Sequence, residues 1–308
     1  MDARDRYYWD LTGYLVLRQV LSPSQVKAAN DAYEFYARKV LEMDEEARDR
    51  PGRPAIRDGV VVRTSNQEPH FLEMEKPYCN AFRDMVAHPL IVSYLREMCG
   101  RGFRLDHGPE IISHIKGMDG GGMHGSGDPH KPWVGYHHDG EKHWVGGVTV
   151  SWQLADQSPG AGGFSCVPGS HKSKFKMPKG VVWREDDLGA VYQPICKAGD
   201  VVFFMDGAQT HGTMPWKADH QRRAVLIKYT GRTCARQGPA YFLGGPEDYW
   251  EEEVVNGMTP EQRAVMFGPY SNFREELPHL QVTSDGDVAI EPRAPRRRSR
   301  PQAQAAAG

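Results

Sequence analysis

The 308-residue chain has no long apolar run. No stretch approaches the roughly 20 apolar residues that a membrane-spanning helix needs. The opening Met1-Asp2-Ala3-Arg4-Asp5-Arg6 lacks the apolar core of a secretory signal, so a cytoplasmic protein is expected. Charge of one sign is also missing. Thirty-eight Lys and Arg stand against 40 Asp and Glu, a net charge of −2, which gives no global attraction to nucleic acid or to an anionic membrane surface. Cysteine is sparse: Cys79, Cys99, Cys166, Cys196 and Cys234 are scattered without Cys-x-x-Cys spacing. Buried, reduced thiols are expected rather than a disulfide framework. The sequence contains no Gly-x-Gly-x-x-Gly, no P-loop, no Gly-x-Ser-x-Gly and no internal repeat, which removes the commonest nucleotide-binding and serine-hydrolase readings.

What is present reads as a mainly β protein with flanking helices. Ser22-Pro23-Ser24-Gln25 carries a capping-box pattern with proline in the first turn. Val26, Ala29, Tyr33, Tyr36 and Val40 then recur at helical spacing. The charged stretch 42–57 reads as a loop, and 82–99, around His88-Pro89-Leu90, as one or two helices. From Phe103 the pattern changes to short strands broken by Gly and Pro turns: 111–116, 145–154, 164–167, 201–205 and 222–229. Such strands suggest a barrel or sandwich. The expected organisation is one domain over 1–290, with a helical part to about 100, a β core over 103–235 and a C-terminal extension over 236–290. The segment 291–308, rich in arginine, proline and alanine, is expected to be a disordered basic tail. The glycine-rich stretch 117–135, with His124 and His130, is either a mobile lid or a plain surface loop.

The chemistry concentrates in two places. Tyr136-His137-His138-Asp139-Gly140-Glu141 contains an His-x-Asp pair, and in an extended strand residues i and i+2 share a face. His211, in Gln209-Thr210-His211-Gly212-Thr213, adds a distant third donor. Two imidazoles and one carboxylate are the facial triad of non-haem Fe(II) oxygenases. His138 is out of register, because His138-x-Gly140 lacks a carboxylate. Arg222 follows His211 by eleven residues and opens the apolar run 222–229. Its neighbour Arg223 is expected on the opposite face of that strand.

Taken with Gly162-Gly163-Phe164-Ser165-Cys166-Val167-Pro168-Gly169-Ser170-His171-Lys172, the run 199–205 and Thr12-Gly13-Tyr14-Leu15-Val16-Leu17-Arg18, these motifs resemble the phytanoyl-CoA dioxygenase family from about Tyr8 to about Tyr229. The resemblance implies a double-stranded β-helix, the cupin-like jelly-roll. It implies Fe(II) held by His137, Asp139 and His211, 2-oxoglutarate as cosubstrate and O2 as oxidant. Its positions assign Arg222 to the distal carboxylate of 2-oxoglutarate and Trp152 to a cosubstrate contact. His114 lies near another cosubstrate-facing position, and Lys116 matches a lysine that often precedes a proline turn. Lys116-Gly117-Met118 departs from that turn, and 117–135 follows. A carboxylate at Asp139, where halogenases resembling this family have Gly or Ala, favours hydroxylation or a related C–H oxidation of a small-molecule substrate. The competing reading is a cupin-like metal-binding protein without catalysis.

Overall fold

The computed structural model describes residues 1–43, 54–64, 70–125, 134–231, 234, 250, 252–268 and 279–291. Residues 292–308 of the expected basic tail, 236–249, 251 and 269–278 of the C-terminal extension and 126–133 of the glycine-rich stretch lie outside these residues.

The chain opens with helix α1 (Ala3–Thr12), capped by Asp2 and ended by Gly13 in the left-handed region. Strand β1 (Tyr14–Leu17) leads to α2 (Pro23–Leu41), where Ser22 and Gln25 close the capping box read from the sequence. After the hairpin β2 (Ala55–Arg57) and β3 (Val60–Arg63), two helices follow, α3 (Tyr78–Val86) and α4 (Pro89–Met98). Pro89 cannot continue a preceding helix, so the single apolar pattern divides there. The β core then runs β4 (Arg104–His114), β5 (Tyr136–His138), β6 (His143–Val145), β7 (Val148–Gln153), β8 (Gly163–Cys166), the short helix α5 (Lys179–Val182), β9 (Val201–Phe204), β10 (His211–Met214) and β11 (Arg222–Thr230). Helices α6 (Glu252–Val255) and α7 (Pro260–Phe267) and the hairpin β12 (Leu280–Val282) and β13 (Val288–Ile290) close the described chain.

Seven strands form one antiparallel sheet in the order β1-β9-β7-β11-β4-β3-β2. A smaller β10-β8 pair faces it, and β5-β6 is a separate hairpin. Large sheet, small opposing sheet and outer helices make the double-stranded β-helix that the family resemblance implied.

Strand alternation divides the large sheet. On β7, Val148, Val150 and Trp152 join the apolar core shared with the helices, together with Val225, Ile227 and Tyr229 of β11 and Phe203 of β9. The other face of β7 carries Thr149, Ser151 and Gln153, all buried. With Arg222 and His114 paired in register across β11 and β4, this second face gives the barrel a polar interior. Buried polar groups are costly without partners, so a polar interior marks this face for ligands rather than for packing.

Candidate active site

His211 opens β10 inside the barrel. Three connections hold it. Its Nδ1 donates to the Gln209 carbonyl at 2.8 Å. The Pro-Gly-Ser-His turn after β8 holds the preceding residue: Thr210 N–H donates to Ser170 Oγ at 2.8 Å, and Val167 N–H to the Thr210 carbonyl at 2.9 Å. Phe204 packs on its ring at 4.6 Å between centroids. With Nδ1 used as donor, the Nε2 lone pair is free to bind a metal, the tautomer control that an outer hydrogen bond exerts on metal-binding histidines. Burial pushes the His211 imidazolium down to about 3, so the ring is neutral. Asp206 Oδ1 stands 3.6 Å from Nε2, and Lys228 Nζ lies 3.9 Å from the same carboxylate.

Arg222 is the second feature. It is fully buried, its Nε has no hydrogen-bond partner, and it forms no ion pair among the described residues. Nη1 donates to His114 Nδ1 at 3.3 Å. Desolvation pulls its guanidinium down to about 10 and the His114 imidazolium to about 4, the latter helped by the Arg222 charge. A buried guanidinium facing a neutral histidine is an incomplete arrangement, because a buried charge is tolerated only when paired. An anion with two carboxylate oxygens completes it, and the planar fork of arginine suits that bidentate contact. The residues present therefore fit 2-oxoglutarate.

They do not gather the expected triad. His137 and Asp139 are exposed on the β5-β6 hairpin. The His137 ring stacks on Trp144 at 5.4 Å. Asp139 closes the hairpin turn, accepting from Glu141 N–H at 3.0 Å and Lys142 N–H at 2.7 Å, and these backbone donors hold its carboxyl below the usual carboxylate range. Gly140 N–H bonds to His138 Nδ1 at 3.0 Å. The physical reason is local: Asp-Gly is a strong turn former, so the segment folds back on itself instead of extending along β10. Among the described residues no three His, Cys, Asp or Glu side chains close on one point. His137, Asp139 and His211 therefore do not fit a single ion here.

Two further assignments change. Trp152 pairs in register with Val225 and packs edge-on to His88 at 5.4 Å, on the helix-facing side of the sheet. It is core, away from Arg222. Lys116 lies past the end of β4 and pairs with Asp219 at 2.6 Å on the surface. Arg223 faces outward as expected. It bonds to Asn30 at 3.0 Å, ion-pairs with Glu34 and lies over the Tyr33 ring.

Over its described first part the glycine-rich stretch is a loop joined to β10 by one isolated bridge. Residues 117–125 pack along the free edge of β10. His124 and His211 exchange backbone hydrogen bonds at 2.8 and 2.9 Å, and Met123 N–H donates to Val182 at 2.8 Å. Gly125, with φ +87°, would place a Cβ 2.3 Å from the Gln209 carbonyl oxygen, and a Cβ on Gly120 would lie 1.7 Å from that of Thr213. These glycines allow close backbone approach. Gly125→Ala is expected to lower stability by about 2 kcal/mol or more, read as a fall in melting temperature; an unchanged midpoint would show the segment to be loosely held.

Several buried histidines make a pH prediction. Burial holds His70, His114 and His171 at about 4 and His211 at about 3, against about 6.5 in an unfolded chain. The folded form stays neutral while the unfolded form gains protons, so stability present above pH 6.5 is lost as pH falls toward 4. Melting at pH 5 should come at least about 4 °C below melting at pH 7.5. A flat profile would contradict the burial of these rings.

The model of the family described as "Phytanoyl-CoA dioxygenase (PhyH)" matches residues 9–224, a span that covers most of the chain and includes both His211 and Arg222. The chain belongs to the phytanoyl-CoA dioxygenase family. No curated protein matches it. Solved structures with the same fold include HygX from Streptomyces hygroscopicus, determined with nickel and 2-oxoglutarate bound. HygX is 19% identical, with a TM-score of 0.59 over 80% of this chain and 95% of that one. EctD from S. alaskensis, determined with 2-oxoglutarate and 5-hydroxyectoine, is 16% identical, with a TM-score of 0.57 over 84% and 85%. AviO1 from Streptomyces viridochromogenes Tue57 is 19% identical, with a TM-score of 0.54 over 76% and 97%.

Of the residues singled out in the sequence, Arg222 and His114 meet on the interior face and His211 opens β10, where His124 and Asp206, which no motif marked, lie beside it. Nor did any motif mark the polar interior of β7, although the strict alternation of Val148, Val150 and Trp152 with Thr149, Ser151 and Gln153 was a readable signal for it. A cleft of about 330 Å³ among the helices, lined by Leu21, Tyr78, Asp84 and His88 among others, shares no residue with this site.

Proposed function

We propose that this protein is an Fe(II)- and 2-oxoglutarate-dependent oxygenase acting on a small molecule. The observation that carries the reading is Arg222, a buried cation without an anionic partner among the described residues, set in a polar barrel interior. A protein that only captured metal would have no use for a buried carboxylate clamp. Iron and 2-oxoglutarate, when bound, supply the oxidation: O2 is consumed, 2-oxoglutarate becomes succinate and CO2, and a substrate C–H bond is hydroxylated or otherwise oxidised.

The chain's own residues bind and orient. Arg222 holds the distal carboxylate, and His114, accepting from Nη1, fixes the plane of the guanidinium. His211, neutral and locked by Gln209, presents Nε2 toward Asp206. The small opposing sheet and the 117–125 segment cover the interior and exclude water. The acyl-CoA substrate of the family name does not transfer automatically, since one fold hosts many chemistries. The similar structures hold polar small molecules, hygromycin B in HygX and 5-hydroxyectoine in EctD, which supports a polar metabolite as substrate here.

The test is succinate release from 2-oxoglutarate with added Fe(II) and ascorbate, first alone and then with a metabolite panel that includes acyl-CoAs. Metal-dependent succinate formation is expected without substrate, and stimulation by polar metabolites. No succinate under any condition would sink the oxygenase reading. Stimulation by acyl-CoAs alone would sink the substrate class.

A further inference from the structure

Resting on the oxygenase reading, we infer that Lys228 and Glu110 select the substrate, and that the substrate is a small zwitterion of the amino-acid kind: Lys228 takes its carboxylate and Glu110 its ammonium. The register of the large sheet places both residues. Along β11, Arg222, Ala224, Leu226 and Lys228 alternate with Val225, Ile227 and Tyr229, which belong to the helix-side core, so the first set faces the interior. Leu226 lies opposite Glu110 of β4, and Lys228 opposite Thr149 of β7. Thr149 in turn lies opposite Phe204, whose ring packs on His211. Lys228 is therefore level with His211. It stands six residues from Arg222, roughly 20 Å along the strand, in a different part of the interior from the 2-oxoglutarate clamp. Ile112, Leu226 and Lys228 are only half-buried although they face inward, so the interior is open along this line.

The polar groups here are incompletely satisfied. Lys228 donates no hydrogen bond among the described residues, and the nearest carboxylate, Asp206, is 3.9 Å from its Nζ. Thr149 is fully buried, and its hydroxyl has no partner. An ammonium and a hydroxyl on directly opposite residues, both without a hydrogen bond, suit an oxyanion. Glu110 is buried, and Arg63 donates to one of its oxygens only: Nε and Nη2 lie 2.8 and 2.6 Å from Oε2. Oε1 is left for a donor. Charge sets the class. Lys228 with Asp206, and Arg63 with Glu110, are two pairs that cancel. A ligand of net charge among them would leave one charge uncompensated, which is costly away from water. A molecule carrying one carboxylate and one ammonium would not.

The experiment uses the full chain with Fe(II), 2-oxoglutarate and ascorbate. Free α- and β-amino acids are compared with their carboxamides, which lack the anion, and their N-acetyl forms, which lack the cation. Succinate release and calorimetric binding are both read, and melting curves confirm that each variant is folded. At least one free amino acid should stimulate succinate release and bind at least about tenfold more tightly than either blocked form, the discrimination expected of one charge-assisted hydrogen bond. Lys228→Met should lose the preference for the acid over the amide and keep the preference over the acetyl form. Glu110→Gln should do the opposite, and Lys228→Arg, which keeps the charge, should keep both. Succinate release from the unaltered protein with no response to any amino acid would overturn the inference and leave the oxygenase reading standing. No succinate and no 2-oxoglutarate binding would overturn both. An undiminished preference for the acid in Lys228→Met would overturn the assignment of Lys228.

Discussion

Replacing Arg222 with leucine should abolish tight 2-oxoglutarate binding while leaving the fold as stable as before, or more so. The two effects part because the charge has no anionic partner among the described residues. In the free protein the guanidinium carries its desolvation cost alone, and an apolar side chain removes that cost. In the complex the same guanidinium supplies a bidentate contact in a dry interior, and breaking one partner of a buried pair costs about 3–5 kcal/mol. At about 1.4 kcal/mol for each factor of ten, the dissociation constant for 2-oxoglutarate should rise by at least about 100-fold. Arg223→Leu should do the reverse. It loses the Glu34 and Asn30 contacts and the Tyr33 ring, so it should melt lower. Its 2-oxoglutarate affinity should change less than about fivefold, the range of a half-exposed pair. Calorimetric titration and melting curves on the two variants check this directly. A large affinity loss in Arg223→Leu with none in Arg222→Leu would mean that the strand is read one residue out of register.

His211→Ala should eliminate turnover, by more than about 10³-fold, with metal binding lost in parallel. The residue lies where two sets of constraints meet: Ser170 and Val167 hold Thr210 before it, and His124 pairs with its backbone. Those contacts are made by the main chain and by neighbours, so the alanine variant should keep β10 in place and lose only the imidazole. Metal-stimulated succinate release within about tenfold of the unaltered protein would remove His211 from the centre. A variant that is inactive but binds metal fully would make it a positioning residue instead.

The parts of this site that were legible in the sequence are those whose meaning is local. His211 and Arg222 keep their spacing because they open consecutive strands, β10 and β11, of the two opposing sheets. The capping box at Ser22 and the outward face of Arg223 follow from three- and two-residue periods. What was not legible depends on which segment reaches the free edge of β10. His-x-Asp at 137–139 satisfies the i, i+2 rule, yet its Asp-Gly turn folds it into a hairpin. The glycine-rich stretch reads as loop by composition, yet its glycines are what let it lie against β10. Long-range pairing of that kind leaves no mark in a local window. Trp152 was misread for a different reason. Its family position pointed to the cosubstrate, while the alternation along β7 already placed it with Val148 and Val150 on the helix side.

The two walls of the barrel are unequal, and this sets where the protein breathes. The seven-stranded wall is pinned between the polar interior and a helical core running from Trp9 to Leu280. The opposite wall is two short strands plus a glycine-lined edge, held by backbone bonds and by two small clusters, one around Phe164, Cys166 and Phe204 and one around Met123, Met177 and Val181. Segments with few buried apolar contacts open at the lowest free energy. The thin wall is therefore the expected passage for molecules, and changes in it are expected to retune which ones pass without weakening the thick one.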